Sequence, residues 1–183
     1  DAALWIDNGG KLVYVEGEER NRKMTSAEDM QQPITKVGMG YDVHKLIDGD
    51  AIILGGVKIA HNKKLEGHSD ADVVLHAIVD AILGALGEGD IGVHFPPSDA
   101  KWKGADSATF VEYVAEKMKA RRASLAHLDV TIICEAPKIG PHREAMRTRI
   151  AGLLGVDISA ISVKATTTEG LGFTGRGEGI AAN

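Results

Sequence analysis

Apolar and polar positions change period from segment to segment, and the changes mark out the elements. Residues 36–43 and 52–59 alternate with the two-residue period of a strand, and Gly55-Gly56 breaks the second run into a hairpin-like pair. Residues 70–86 carry apolar side chains at the three-to-four spacing of an amphipathic helix. Ser69 stands at its predicted N-cap, and Asp72, three residues on, takes the capping-box position. The same spacing predicts helices over 106–122 and 141–154, and apolar runs predict strands over 128–135 and 161–167. Strands interleaved with helices in this way predict a sheet layered by helices. Before Pro33 the signal thins. Residues 11–15 predict a short strand, and a charged run over 16–23 and a polar stretch through Gln32 add too little apolar material for a core.

Composition narrows the function classes. A chain of 183 residues, 44% apolar and 26% charged, can bury one core with an appendage. A net charge of −5 argues against a broad electrostatic grip on nucleic acid or an anionic membrane surface, so any anionic ligand is expected to be held locally. The single cysteine, Cys134, excludes an intramolecular disulfide and a cysteine-pair zinc site, and fits a reducing, cytoplasmic home. No apolar run reaches bilayer-spanning length, and no basic-then-apolar leader precedes the domain. The chain begins at Asp1 rather than Met, so its natural start is expected upstream.

The candidate chemistry lies in two clusters. Residues two apart on a strand share a face, so Asp42 and His44 project together, with Val43 expected to point into the core. His76 lies on the predicted helix, Asp72 one turn earlier and His68 just before its start. Two imidazoles and a carboxylate with an open position suit catalytic zinc and other divalent transition metals. The competing reading is a chance Asp-x-His pair and a helical histidine satisfied inside a partial core. Likewise His68-Ser69-Asp70 reads either as a phosphate-holding helix entry or as a plain cap. In the second cluster, residues 164–179, threonine hydroxyls, Glu169 and several glycines converge. Hydroxyls and glycine-freed amides can wrap phosphate oxygens, and a carboxylate beside them can hold Mg²⁺. The alternative there is a glycine-rich hairpin with surface threonines, which bulky Phe173 and charged Arg176 make less natural.

Taken in order, Gly-x-Asp-Val-His at 40–44, His-Ser-Asp-x-Asp-x-x-x-His at 68–76, Gly-Asp-Ile-Gly at 89–92, Lys-Gly-Ala-Asp-Ser at 103–107, Ala-Pro-Lys at 136–138 and the run 164–179 resemble 2-C-methyl-D-erythritol 2,4-cyclodiphosphate synthase, over residues 36–182. That family converts 4-diphosphocytidyl-2-C-methyl-D-erythritol 2-phosphate to the cyclic diphosphate with release of CMP, in the non-mevalonate isoprenoid pathway. The resemblance implies zinc on Asp42, His44 and His76, and a second divalent ion, Mg²⁺ or Mn²⁺, on Glu169. It implies catalytic roles for His68 and Thr167. Substrate contacts would come from Ser69, Asp90, Ile91, Gly92, Phe95 and Asp99 for the methylerythritol part. For cytidine they would come from Cys134, Ala136, Pro137, Lys138, Ile139 and Gly140 together with Ala165, Thr166 and Thr168, and further contacts from Phe173 and Arg176. The implied fold is α+β, a ferredoxin-like sheet backed by helices. The implied assembly is a homotrimer with active sites between subunits, inactive as a monomer, whose central cavity can take an isoprenoid diphosphate near Arg176 and Glu178.

The chain departs from the family pattern at Pro97, where many relatives carry aspartate, which leaves Asp99 to bind the hydroxyl. Cys134 gives no sign of being a nucleophile. A stop at Asn183 is expected to cut or disorder the family's final strand. Residues 35–183 form the expected synthase domain. Residues 1–34 resemble the carboxyl end of 2-C-methyl-D-erythritol 4-phosphate cytidylyltransferase, through Val15-Glu16-Gly17, Lys23, Thr25 and Glu28-Asp29. They would be a remnant and linker of a fusion that also makes the diphosphocytidyl intermediate from CTP, poorly ordered or loosely docked, with Lys23 matching a substrate-positioning lysine.

Overall fold

A computed structural model describes residues 6–13, 16 and 34–183. The chain divides into two units, Asp1–Thr35 and Lys36–Asn183. In the first, Ile6 and Asp7 are helical and the chain turns so that Gly9 N–H donates to the Ile6 carbonyl at 2.9 Å. Lys11, Leu12 and Val13 are exposed and are not in a strand. The rest of that predicted strand, Tyr14 and Val15, lies outside the described residues, as does the cytidylyltransferase-like segment beyond Glu16, Lys23 included.

The second unit is built on a five-stranded sheet. Its strands are β1 (Asp42–Asp48), β4 (Lys63–Leu65), β5 (Leu128–Ile133), β6 (Ile161–Thr166) and β7 (Gly179–Ala182), in the order β4-β1-β7-β5-β6. The strands β2 (Ala51–Leu54) and β3 (Val57–Ala60) form a separate hairpin. Its turn is Gly55-Gly56, and both glycines have positive φ, 59° and 72°, as a tight two-residue hairpin requires. The last strand, β7, is ordered over Gly179–Ala182. β7 sits in the middle of the sheet, antiparallel to β1 (Asp42 opposite Ala182, His44 opposite Ile180) and to β5 (Ile133 opposite Ala181). Only β5 and β6 pair in parallel, Leu128 opposite Ile161 through Ile133 opposite Thr166.

Helices α1 (Val73–Leu86) and α4 (Arg143–Leu154) back one face of the sheet, α3 (Ala108–Ala120) packs against both of them, and two short helices, α2 (Ile91–His94) and α5 (Gly172–Gly175), lie in the connections. The core between the layers gathers Ile52, Leu75, Ile78, Leu83, Ile132, Met146, Ile150, Ile161 and Ile180, each less than 2% exposed. α1 packs against β1, β5 and β7, and α4 against β6. This is a mixed α+β fold with a sheet backed by helices.

Three expectations are corrected. Residues 36–41 are irregular rather than a strand, and β1 begins only at Asp42. The reason is tertiary: this segment runs against the backbone of α1, where a Cβ on Gly38 or Gly40 would stand 1.8 Å from the Ala81 carbonyl oxygen or 1.9 Å from that of Ala77. Val43 is 42% exposed, because the helices cover the opposite face of β1. Ser69 does not cap α1. Ala71 takes a left-handed φ of 58°, which breaks any helix begun at residue 70, and Asp72 becomes the N-cap. The segment after Asp90 forms the short helix α2, with Asp90 Oδ1 accepting from Val93 N–H at 3.0 Å and Asp80 Oδ1 accepting from Ile91 N–H at 2.7 Å.

Candidate metal centre

Strand alternation puts Asp42 and His44 on the helix-covered face of β1, and His76, one turn into α1, meets them there. Asp42 Oδ2 lies 3.0 Å from His44 Nε2 and 2.9 Å from His76 Nδ1, and the two ring nitrogens are 3.1 Å apart. On the far side of His44, Nδ1 is 2.8 Å from the Glu66 carbonyl oxygen. A carbonyl can only accept, so Nδ1 carries the proton and Nε2 turns its lone pair inward. Three donor groups therefore converge on one point, with candidate ligand atoms within 4.8 Å of one another, and without a cation among them they would repel.

The electrostatics agree. Burial works to raise the Asp42 carboxyl, but hydrogen bonds and charge from His44 and His76 outweigh it and hold the group well below the usual carboxylate range. Burial works against charging His44, yet the bond and charge of Asp42 raise it above the ordinary imidazole value. A cation between these groups is favoured, and a divalent ion can take the place of the proton. Asp72 is not a fourth ligand. It is fully buried, and its oxygens accept from Gly55 N–H (2.9 Å), Gly56 N–H (2.6 Å), Val74 N–H (3.1 Å) and Leu75 N–H (3.1 Å). The set is two histidines and one carboxylate, a donor set that fits a divalent cation.

Ser69 Oγ, 3.1 Å from His76 Nε2, joins this group, and His68 is exposed directly before it, its carbonyl accepting from Gly104 N–H at 2.7 Å. Beside them, Phe95 is mostly buried in an aromatic cluster, 4.4 Å from Phe110 and 5.0 Å from Trp102 and Tyr113 between ring centres. Its side chain thus packs the loop that carries Asp90, Ile91 and Gly92. Asp99 caps the short turn after it, accepting from Lys101 N–H at 3.1 Å.

A second group forms where the parallel pair β5 and β6 ends. Cys134 N–H donates to the Thr166 carbonyl at 3.1 Å, which holds the loop of Ala136, Pro137, Lys138 and Gly140 beside Ala165–Thr168. Cys134 and Ile139 are themselves buried. Glu135 Oε1 accepts from Thr168 N–H at 3.1 Å, and Thr168 Oγ1 donates to the Leu171 carbonyl at 2.6 Å. Thr167 Oγ1 donates to Glu169 Oε1 at 2.8 Å, with Glu169 exposed in a left-handed backbone (φ 54°). Arg176 is held by Glu178 in two parallel bonds of 2.8 and 2.9 Å, and Phe173 is 38% exposed beside them.

The family model of the YgbB family matches residues 35–183. The chain belongs to the YgbB family. It is 58% identical over its whole length to the bifunctional enzyme IspD/IspF of Erythrobacter litoralis and 55% identical to that of Gluconobacter oxydans. It covers 48% and 49% of them, so the chain spans about half the length of these relatives. Among solved structures, the bifunctional IspDF of Campylobacter jejuni is 39% identical with a TM-score of 0.75, over 99% of this chain and 51% of that one. IspF of Plasmodium falciparum in a CDP complex is 38% identical with a TM-score of 0.71, over 80% of this chain and 90% of that one. A 2C-methyl-D-erythritol-2,4-cyclodiphosphate synthase in a CDP-bound form is 33% identical with a TM-score of 0.74, over 80% and 95%. Within this YgbB chain, sequence reading missed Glu66 and Ser107, and it read Asp70 only as part of the helix entry over 68–70. Ser107 carried a signal: it stands where a helix cap is expected, but the adjacent Asp106 does the capping, accepting from Ala108 N–H at 2.8 Å, and so frees the serine hydroxyl.

Proposed function

We propose that this chain converts 4-diphosphocytidyl-2-C-methyl-D-erythritol 2-phosphate to 2-C-methyl-D-erythritol 2,4-cyclodiphosphate and CMP. The observation that carries the reading is the convergence of Asp42, His44 and His76 with an open position, in a chain similar to synthases solved with CDP. Zinc held by these three residues would supply positive charge to a substrate phosphate oxygen, and a second divalent ion, Mg²⁺ or Mn²⁺, at Glu169 would offset charge on the diphosphate.

The remaining work is positioning. The 2-phosphate is the nucleophile, so the protein needs to hold it in line with the β-phosphorus and the departing CMP oxygen, a task that requires no protein nucleophile. The loop over 134–140 and the strand end over 165–168 form the cytidine cradle in this reading. Ser69, Asp90–Gly92 and Asp99 hold the methylerythritol part, Thr167 and His68 sit at the reacting phosphate, and Phe173 and Arg176 complete the site. The exposure of His68 and the half-buried position of Thr167 suit groups that meet a ligand, and the buried, unreactive Cys134 suits a wall. The chain would act as a homotrimer with sites between subunits, and its first 34 residues would be the end of a cytidylyltransferase domain. The bifunctional names and double length of the relatives support that last point.

A metal-binding module without turnover is the competing reading, and the engagement of Asp72 with four backbone N–H groups weighs against its closed-site form. The test is CMP release from the diphosphocytidyl substrate with Mg²⁺ present, before and after chelation and zinc restoration. Zinc-restorable release with cyclic diphosphate as co-product is expected, and His44→Ala should lose both zinc and turnover. Zinc-loaded protein that releases no CMP would favour the binding module.

A further inference from the structure

His76 has two ring nitrogens, and only one of them faces the metal centre. The other, Nε2, lies 2.9 Å from Ser107 Oγ and 3.1 Å from Ser69 Oγ. Ser107 is fully buried, so water does not compete for its hydroxyl. Its Oγ is also in hydrogen-bond contact with Asp70 Oδ1, and its N–H donates to Asp70 Oδ2 at 3.1 Å. Asp70 is held in turn by the N–H of Asp72, which donates to Oδ1 at 3.2 Å.

A hydroxyl has one proton to give, and the carboxylate can only accept it. Ser107 therefore donates to Asp70, and its lone pairs accept the N–H at His76 Nε2. With that proton fixed on Nε2, the Nδ1 lone pair points at Asp42 and His44. The neighbouring Ser69 hydroxyl, which already accepts from Ala71 N–H at 3.2 Å, is a second acceptor for the same proton.

We propose that Ser107, oriented by Asp70, is the positioning residue that sets the tautomer and ring angle of His76 for metal binding, a carboxylate–hydroxyl–imidazole relay reaching from the start of α3 to the metal centre. It rests on the reading of Asp42, His44 and His76 as a zinc site. Partners of this kind commonly contribute 10- to 100-fold to metal affinity.

The experiment measures zinc affinity of the full chain at one pH by competition with a chromophoric chelator, alongside the melting temperature of the metal-free protein. Ser107→Ala is expected to weaken zinc binding by roughly 10- to 100-fold while the metal-free melting temperature changes little, and Ser107→Thr, which keeps the hydroxyl, to recover most of the affinity. Asp70→Asn should also weaken binding, because an amide can donate to Ser107 Oγ, turn the serine proton toward Nε2 and drive the ring proton onto the metal-facing nitrogen. If Ser107→Ala does not fold, Asp70→Asn, nearly the same size, decides alone. A folded variant of either kind that holds zinc as tightly as the unaltered chain overturns the proposal. An unaltered chain that fails to hold zinc overturns instead the metal-site reading on which it rests.

Discussion

Cys134 directly follows β5 and is buried. Burial pushes the thiol up to about 11, the charge of Glu135 adding to the effect and Lys138 opposing it. At pH 8 its thiolate fraction is then about one in a thousand, against roughly a quarter for a free thiol. Iodoacetamide should accordingly modify the native chain at least ~100-fold more slowly than the denatured chain at that pH. Mass-spectrometric counting of labelled Cys134 over time checks it, and rapid native labelling would mean the loop over 134–140 opens. The same residue illustrates what single positions disclose. An isolated cysteine with no partner in the sequence already read as inert. Asp42 and His44 were legible because strand alternation alone puts them on one face. Ser107 was not, since its partners Asp70 and His76 lie 37 and 31 positions away and meet it only once α1 and α3 pack. No local pattern encodes that meeting.

Among the elements, α1 depends most on one side chain. Asp72 caps its first turn and simultaneously satisfies the N–H groups of Gly55 and Gly56 in the β2–β3 turn, so it ties the hairpin to the helix that carries His76. Loss of a cap costs about 1 kcal/mol. Each buried N–H left without a partner costs about 1–3 kcal/mol. Asp72→Ala is therefore expected to remove about 3–7 kcal/mol of stability and lower the melting temperature by roughly 10 °C or more, read by calorimetry. A change under ~2 °C would show that solvent or a neighbouring group replaces the carboxylate. The helix itself was legible from its 3.6-residue period, and its true start was not, because the left-handed turn at Ala71 is set by the hairpin docking onto Asp72. The misread strand over 36–41 has a related cause. Its alternation is genuine, but Gly38 and Gly40 serve the close approach to α1, and a segment pressed against a helix backbone has its ladder partners on neither side. Strands β5 and β6 were read nearly to their ends because both are apolar runs bounded by turn residues, the form a buried parallel pair takes.

For the whole molecule, the sheet raises the question of assembly. Its helix-covered face carries Val130, Ile132 and Ile180, all buried, while the other face presents Val43 at 42% exposure with half-buried Thr131 and Ile133. An apolar band on an open sheet face is a surface that a second copy can cover. If the proposed homotrimer forms on this face, sedimentation of the chain will give three times 19.4 kDa. Ile133→Lys, on the face of the sheet opposite to the one that carries Asp42 and His44, should shift that distribution to monomer. The consequences for activity then separate two structural levels. Asp42, His44 and His76 all come from β1 and α1 of one chain, so the monomeric variant should still bind zinc with unchanged affinity. CMP release should fall by at least ~100-fold if neighbouring subunits each complete the other's site, since misplacing binding groups removes most of the positioning advantage. A monomer that binds zinc and turns over at the full rate would assign the whole site to one chain. A monomer that loses zinc as well would show that the sheet face supports β1 itself, and the oligomeric contact would then belong to the metal centre's own stability.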